Sequence, residues 1–537
     1  MPLKKKQIDL DVKEIDALLE RAQTGALREG DYEIIKAMAD CIVFLSQSVD
    51  EKAAKIKKLL RMIFGATTEK KKNIAACADN GAPSSDGGEK TEKSPPSKKE
   101  KNITPKGHGR NGADAFPGAP HVEVAHPELK AGDTCPKCEE GKLYKLSEPG
   151  VAIRIKGSAP FHAVIYDMEK LRCALCGALF TAPLPESAGQ KKYDASAVSM
   201  MVLLKYGYGL PFNRIAGLQD NLEMPLPTST QWDVIKESVP LFQPAYRELI
   251  REGAQGEVFF NDDTTMKVLS LIKENQRDDP ERKGMFTSGI VSMVGEQKIA
   301  LFFTGRNHAG ENLNKVLSQR KTGLPPPLQM CDALDRNVPQ DFKTILFNCL
   351  VHARRNFVDA SVNFPDECTY VIETLAQIYK HEKIAKEERM SAEQRLQYHK
   401  DNSTPLMDAL HSRLNDQLAE KKVEPNSSLG EAVKYMLKRW KKFTGFLEIP
   451  GAPLDSNIVE RALKKAILHR KSSLFFKTEN GAAAGDMFHS LIHTCQLSGV
   501  NPHDYLMALL NHSSQAQAAP REWMPWNYTE TLSSLQS

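Results

Sequence analysis

The chain has little of several things, and each shortage excludes something. Lys+Arg 72 against Asp+Glu 68 leaves a formal net charge of only +4, so any surface for a polyanion must come from local clustering rather than from a globally basic protein. No stretch reaches the roughly 18 consecutive apolar residues of a membrane span. The opening "MPLKKKQIDLDV" has no apolar run after its lysines, so neither a span nor a secretory leader is expected there. The expected setting is soluble and cytoplasmic. Nor is there a disulfide framework: of 10 cysteines, four form two CxxC pairs, and the rest, such as Cys41 and Cys495, are scattered through apolar periodic segments. That distribution suits a reducing compartment with one metal site.

What is there divides along the chain. At 537 residues the sequence exceeds what one hydrophobic core usually organises. Residues 1–72 carry apolar residues at spacings of three and four in "IIKAMADCIVFLSQSVDEKAAKIKKLLRMIF", which predicts a helical or coiled-coil element for oligomerisation or docking. Residues 73–118 turn to Lys, Ser, Pro and Gly with almost nothing to bury, a disordered basic linker by composition. In residues 119–190 the pairs "CPKC" and "CALC" stand about 34 residues apart around strand-like runs. This spacing predicts a zinc ribbon in which Cys135, Cys138, Cys173 and Cys176 hold one structural Zn²⁺, with all four positions filled. A redox CxxC would stand alone beside a βαβ pattern. Residues 191–250 read as short helices, with Thr228 or Ser229 as a cap and DNA contact through a helix-turn-helix-like pair as one possibility beside ordinary packing.

Beyond residue 250 the period changes. "GEVFFNDDTTMKVLSLI" reads as a strand carrying Asp262 and Asp263, and "MFTSGIVSMV" and "KIALFFTG" form a hairpin about "GEQ". "LPPPLQMCDALDRN" is a short buried strand ending at Asp332, and "KTILFNCLVHARRNFVDA" a strand running into a helix. Three strands, a helix, a strand, a helix and a strand predict an α/β fold with a mixed sheet of the ribonuclease H type over residues 251–365, resumed over 448–500. There the first and fourth strands would be neighbours, and Asp262 and Asp332 with them. Residues 366–447 are helix-like and highly charged, a helical insertion whose Lys438, Arg439, Lys441 and Lys442 either touch DNA or form a solvated face. Residues 501–537 are a C-terminal tail.

The third carboxylate is Glu460, in "PLDSNIVERALKKAILHRK". Asn457 followed three residues later by Glu460 is a capping-box pattern, which would occupy this glutamate with a backbone N–H. The other reading makes it a partner of Asp262 and Asp332. Converging carboxylates repel unless cations neutralise them, and oxygen-only ligands suit Mg²⁺ or Mn²⁺. Two such ions serve phosphodiester chemistry. Lys464, Lys471 and the His352, Arg354, Arg355 cluster would supply phosphate contacts. Asp263 and Asp335 remain rivals for the first and second acids.

With these pieces in order, the chain resembles the DDE transposases of bacterial insertion sequences, specifically the insertion sequence 66 family. The matching residues are "LLRMIFGATTEK", the two CxxC pairs, "NDDTTMKVL", "LQMCDAL", "CLVHARRNF", "LDSNIVERAL" with "HRKSSLF", "HTCQLSGVNPHDYL" and "WMPWNY". The resemblance implies a bacterial, nucleoid-associated enzyme that cuts element ends and joins them to target DNA. Asp262, Asp332 and Glu460 fall where the family carries its catalytic acids. It further implies double-stranded DNA as partner, a homo-oligomer and small accessory proteins. Two departures are Asp263, where the family more often has Glu, and "CDALDRN", in place of commoner Asp-Gly-Tyr surroundings. A catalytically silent zinc-ribbon regulator descended from such an enzyme, or a resolvase or repair nuclease on the same sheet, are the rival readings.

The four ribbon cysteines carry a first prediction. Purified, reduced protein should contain about one zinc per chain by metal analysis, and Cys135→Ser or Cys176→Ser should lose it and unfold the ribbon.

Overall fold

The computed structural model describes residues 179–536 apart from Asp279, together with 159–172, Cys176, most of 127–144 and scattered positions between 18 and 38. The linker expected over 73–118 and most of the N-terminal helical region lie outside the described residues. Among those few N-terminal positions, Arg21 and Asp31 form an ion pair at 2.9 Å. The chain forms two compact units, residues 68–160 and residues 1–67 with 161–537.

In the smaller unit, Thr134 bridges Lys142 in antiparallel fashion, and Gly132 and Leu143 are joined by a backbone hydrogen bond of 2.8 Å. Gly132 has φ +98, a left-handed conformation that glycine adopts without penalty. In the larger unit, β1 (Lys170–Arg172) and β2 (Leu179–Thr181) pair antiparallel, Lys170 opposite Thr181.

The larger unit is built on five further strands: β3 (Val258–Thr265), β4 (Phe286–Val294), β5 (Gln297–Gly305), β6 (Leu328–Cys331) and β7 (Ile345–Asn348). Their order is β5-β4-β3-β6-β7. The β3, β4 and β5 pairings are antiparallel, and β6 and β7 extend the sheet parallel to β3. The β4–β5 turn needs only Gly295 and Glu296, with Gly295 at φ +56, the glycine-first geometry that matches the twist of a hairpin. The first and fourth strands of the sheet are therefore neighbours.

Two details of the expected element order differ. The strand-like reading of residues 256–272 stops at Thr265, because Leu269–Asp278 is a helix. Val268, Leu271 and Ile272 follow a helical rather than alternating period there. Between β6 and β7 stands only the short 3₁₀ turn Asp335–Asn337.

Six helices set the surroundings of the sheet: α1 (Thr228–Gly253), α2 (Ala309–Leu317), α3 (Leu350–Ala360), α4 (Pro365–Glu387), α5 (Asn457–Ser473) and α6 (Glu479–Leu497). Alternation along the strands divides two cores. Phe259, Ile290, Ile299 and Leu301 join Phe242, Leu249 and Phe488 in one. Phe260, Val291, Ala300, Met330 and Phe347 join Phe357, Leu375, Leu410 and Val459 in the other. The charged 366–447 stretch thus shares a core with the sheet, its helices turning Ile372, Leu375, Leu410 and Val433 inward. The 191–250 stretch likewise packs rather than standing free: α1 runs 26 residues and buries Ile235, Phe242 and Leu249. Its cap is Pro227, with no side-chain hydrogen bond, so neither Thr228 nor Ser229 serves in that role.

A strand edge left open invites pairing with another chain, and α6 closes the edge of β5. Thr494 Oγ1, Ser490 Oγ and Asp486 Oδ2 accept from the N–H groups of Ala300 (3.1 Å), Phe302 (3.0 Å) and Thr304 (2.6 Å). A spacing of four along the helix meets a spacing of two along the strand.

Within the insertion, Glu382 is buried on α4. Its carboxylate receives Arg395 Nε at 2.7 Å, His399 Nε2 at 3.0 Å and Lys386 Nζ at 2.9 Å. Burial alone would raise its pKa, but the His399 hydrogen bond and the Arg395 charge bring it down to about 2. A depressed carboxylate stabilises the fold fully above its ordinary value of 4.5, and that contribution is lost as pH falls toward about 2. Glu382→Leu should cost about 3–5 kcal/mol in chemical denaturation at neutral pH, because it strands the buried Arg395 guanidinium and leaves the buried His399 ring without its partner. The deficit relative to wild type should narrow as both are titrated below pH of about 4.

Candidate active site

β3 carries Asp262 and Asp263 on opposite faces, as successive strand residues must be. Val258 pairs with Leu328 and Phe260 with Met330, and the same register carried two residues on sets Asp262 beside Asp332. Asp332 follows the last residue of β6 and is fixed there: its Oδ1 accepts from Asn337 Nδ2 at 2.5 Å and from the Leu334 amide at 3.2 Å. Asp262 accepts from the Asp263 amide at 2.8 Å. Burial pushes its pKa up to about 6, helped by the charges of Asp332 and Asp263. Burial and like charges nearby make the Asp262 carboxylate resist ionising.

Glu460 reaches this region on α5, which packs across β3 and β4. Two things set its approach. Gly289 lies directly opposite Asp262 in the β3–β4 ladder, and a Cβ there would stand 3.0 Å from Leu463 Cδ2 and 3.4 Å from Val459 Cγ2. A side chain there would have to push Leu463 aside, so glycine suits this close approach. The start of α5 is also tied to α3: Leu350 N donates to Leu454 O at 3.1 Å, and Ser456 N donates to Cys349 Sγ at 3.3 Å.

The capping-box expectation fails here. α5 begins at Asn457, whose amide donates to Asp455 Oδ1 at 3.0 Å. Glu460 Oε1 is buried with no hydrogen-bond partner and lies 3.8 Å from His352 Nε2. The carboxylate points to α3, not back along its own helix. His352 in turn is close enough to Asp262 for its charge to stabilise that carboxylate. Its own pKa is raised, by a hydrogen bond with Cys349 first and also by the Glu460 charge.

The rival acids go elsewhere. Asp263 is almost wholly enclosed and bound by His308 Nδ1 at 2.9 Å and Arg336 Nη2 at 3.2 Å. Asp335 is exposed in the 3₁₀ turn. Among the expected cations, Arg355, Lys464 and Lys471 are exposed and Arg354 is half-buried, where burial lowers its pKa. A cleft of about 490 Å³ beside Asp332 is lined by Lys438, Arg439, Lys441 and Lys442, with Glu448 among them.

The positions that sequence reading passed over are Cys349, Gly289 and Asn337. Cys349 had a local signal, since it stands three residues before His352. Gly289 had one only in the sense that a glycine inside an apolar strand marks a close approach. Of the four ribbon cysteines, Cys138 and Cys176 are exposed and outside any disulfide, while Cys135 and Cys173 lie outside the described residues. Each described cysteine sits beside its own short antiparallel pairing, Thr134–Lys142 for the first and β1–β2 for the second.

Residues 191–484 match a family described as "Transposase IS66 family". Three relatives come from Sinorhizobium fredii. Uncharacterized protein y4hP is 24% identical over 436 residues, covering 76% of this chain and 75% of the relative. Uncharacterized protein y4qI is 30% identical over 357 residues, 62% of each chain. Uncharacterized protein y4jD is 33% identical over 184 residues, so the match spans about a third of both proteins, 34% of this chain and 35% of that one.

The close approach at Gly289 is open to test. Gly289→Val should destabilise the protein by about 1–3 kcal/mol through overpacking against Leu463. Leu463→Ala in the same chain should recover part of that loss, a coupling read from denaturant midpoints of the two single variants and the double.

Proposed function

The chain belongs to the IS66 transposase family, and from that premise we propose that it cuts and joins DNA at insertion-sequence ends by metal-dependent phosphodiester chemistry on a ribonuclease H-like sheet. What supports this reading is that Asp262 feels the charges of Asp332 and His352, while Glu460, on a helix packed across β3 and β4, lies 3.8 Å from the same His352. The neighbouring acids Asp263 and Asp335 turn elsewhere.

The residues fit a hard divalent cation. Glu460 Oε1 is buried and unpartnered, and Asp262 is pushed up to about 6 by burial and by its acid neighbours. A buried carboxylate oxygen without a hydrogen-bond donor and an aspartate that resists ionising beside other acids suit a hard divalent cation. Asp262, Asp332 and Glu460 would hold Mg²⁺ or Mn²⁺, which when bound supplies activation of an attacking oxygen and stabilisation of a leaving one.

The chain's own part is positional. Asn337 and the Leu334 amide fix the Asp332 carboxylate, Gly289 lets Glu460 come near, and Asp262 sits on the central strand. Arg355, Lys464 and Lys471, with the four cations of the cleft beside Asp332, would bind double-stranded DNA through its phosphates. Water and then a DNA 3′-hydroxyl attack phosphorus, so no side chain need serve as a covalent nucleophile. The cysteine pairs would hold a separate structural zinc. A homo-oligomer and small accessory proteins belong to the same proposal.

Mg²⁺-dependent nicking and joining of labelled element-end DNA tests it. Asp262→Asn, Asp332→Asn and Glu460→Gln should each slow cleavage by orders of magnitude while DNA binding and folding survive. Asp335→Asn should retain activity, and Asp263→Asn should act through stability, since it loses ion pairs to His308 and Arg336. Wild-type protein that binds element ends and never cleaves them would favour the silent regulator. In a parallel binding assay, Arg355→Ala should weaken DNA affinity and make its salt dependence shallower by about 1 unit in the log–log slope.

A further inference from the structure

Beside the three acids stands a cluster of different chemistry. Cys349, His352 and Glu460 each offer one ligand atom, and these atoms lie within 4.8 Å of one another. Cys349 is completely buried and occupies the N-cap of α3. There the Ser456 amide donates to its sulfur at 3.3 Å. One buried atom of the cluster, Glu460 Oε1, has no hydrogen-bond partner. Leaving such an atom unmatched is costly unless something meets it.

A hard cation does not need sulfur or imidazole, and Mg²⁺ selects oxygen ligands. A thiolate, an imidazole and a carboxylate together suit a borderline-soft ion such as Zn²⁺ or Co²⁺. Ligand bonds to zinc of about 2.0–2.3 Å put neighbouring ligand atoms of a tetrahedral site roughly 3.3–3.8 Å apart. The 3.8 Å between His352 Nε2 and Glu460 Oε1 already lies in that span.

We propose that Cys349, His352 and Glu460 form a thiophilic divalent-metal site, taking Zn²⁺ or a similar ion, that shares Glu460 with the acid cluster. Binding displaces the Cys349 thiol proton to solvent and leaves the redox state of every group unchanged. Because one carboxylate serves both arrangements, an ion held by Cys349 and His352 draws Glu460 away from Asp262 and Asp332. Zinc would then oppose Mg²⁺-supported cleavage. The metal site stands on geometry alone, and only this last effect rests on the proposed active-site reading.

The test uses full-length, reduced, metal-stripped protein titrated with Co²⁺, whose thiolate complexes absorb in the near ultraviolet. Ribbon cysteines contribute as well, so the quantity read is the difference between wild type and Cys349→Ser, His352→Ala and Glu460→Gln, each checked by circular dichroism and thermal melting. Wild type should bind one more Co²⁺ per chain than Cys349→Ser, with extra near-ultraviolet absorption. Affinity for that ion should fall by roughly a hundredfold or more in His352→Ala, since even outer-sphere partners of a metal are worth about 10–100-fold. Equal stoichiometry and equal spectra in wild type and the folded variants would overturn the proposal. In cleavage assays at fixed Mg²⁺, zinc should inhibit wild type, and Cys349→Ser should need more zinc for the same fractional inhibition. Wild-type protein that shows the cobalt difference but never cleaves DNA would contradict the active-site reading and leave this metal site standing.

Discussion

The close packing of α5 on β4 at Gly289 is the constraint on which the rest of the site depends. Strand pairing alone brings Asp262 beside Asp332, since β3 and β6 are parallel neighbours. The third carboxylate comes from a helix about 128 residues beyond the second, and nothing local ties it to the sheet. It arrives because Val459, Ala462 and Leu463 bury against the strands and because position 289 has no side chain to hold them off. The insertion reinforces the arrival: Arg395 Nη1 donates to Ala452 O at 2.9 Å, on the segment leading into α5. The insertion is thus part of the scaffold of the candidate site.

The electrostatics follow from that geometry. Asp262 on one face of β3 is raised, by burial first and then by the charges of Asp332 and Asp263, with His352 opposing the shift. The opposite face pairs Asp263 with His308 and Arg336, a closed arrangement with little left to bind. Adjacent aspartates on one strand thereby take different work, one holding structure together and the other resisting ionisation. Perturbed groups of this kind cluster where function lies.

Much of this was legible in the sequence, for identifiable reasons. Strand and hairpin periodicity gave the sheet, and the interruption of apolar runs by Asp262 and Asp332 marked the acids, since a charge inside a buried strand needs a reason. Less legible was whatever depended on distant partners. Asp262 and Asp263 cannot be separated by pattern, because the residues that claim Asp263 lie 45 and 73 positions away. Asn457 and Glu460 have the spacing of a capping box, yet Asp455 meets the first amide of the helix and frees the glutamate. The Thr228 cap failed similarly, with Pro227 preceding it. The polar series Asp486, Ser490 and Thr494 went unread, because its role shows only once β5 lies beside the helix.

The central claim is that Asp262, Asp332 and Glu460 form one divalent-cation site, and the most direct measurement is anomalous scattering from crystals of the protein soaked in Mn²⁺. The expected result is Mn²⁺ density between these three carboxylates, two peaks about 3.5–4 Å apart if both ions of the proposed chemistry bind. The density should vanish in Glu460→Gln or Asp262→Asn crystals. Manganese bound instead at Asp335, or bound by Asp262 and Asp332 with Glu460 still turned to His352 and uninvolved, would contradict the account.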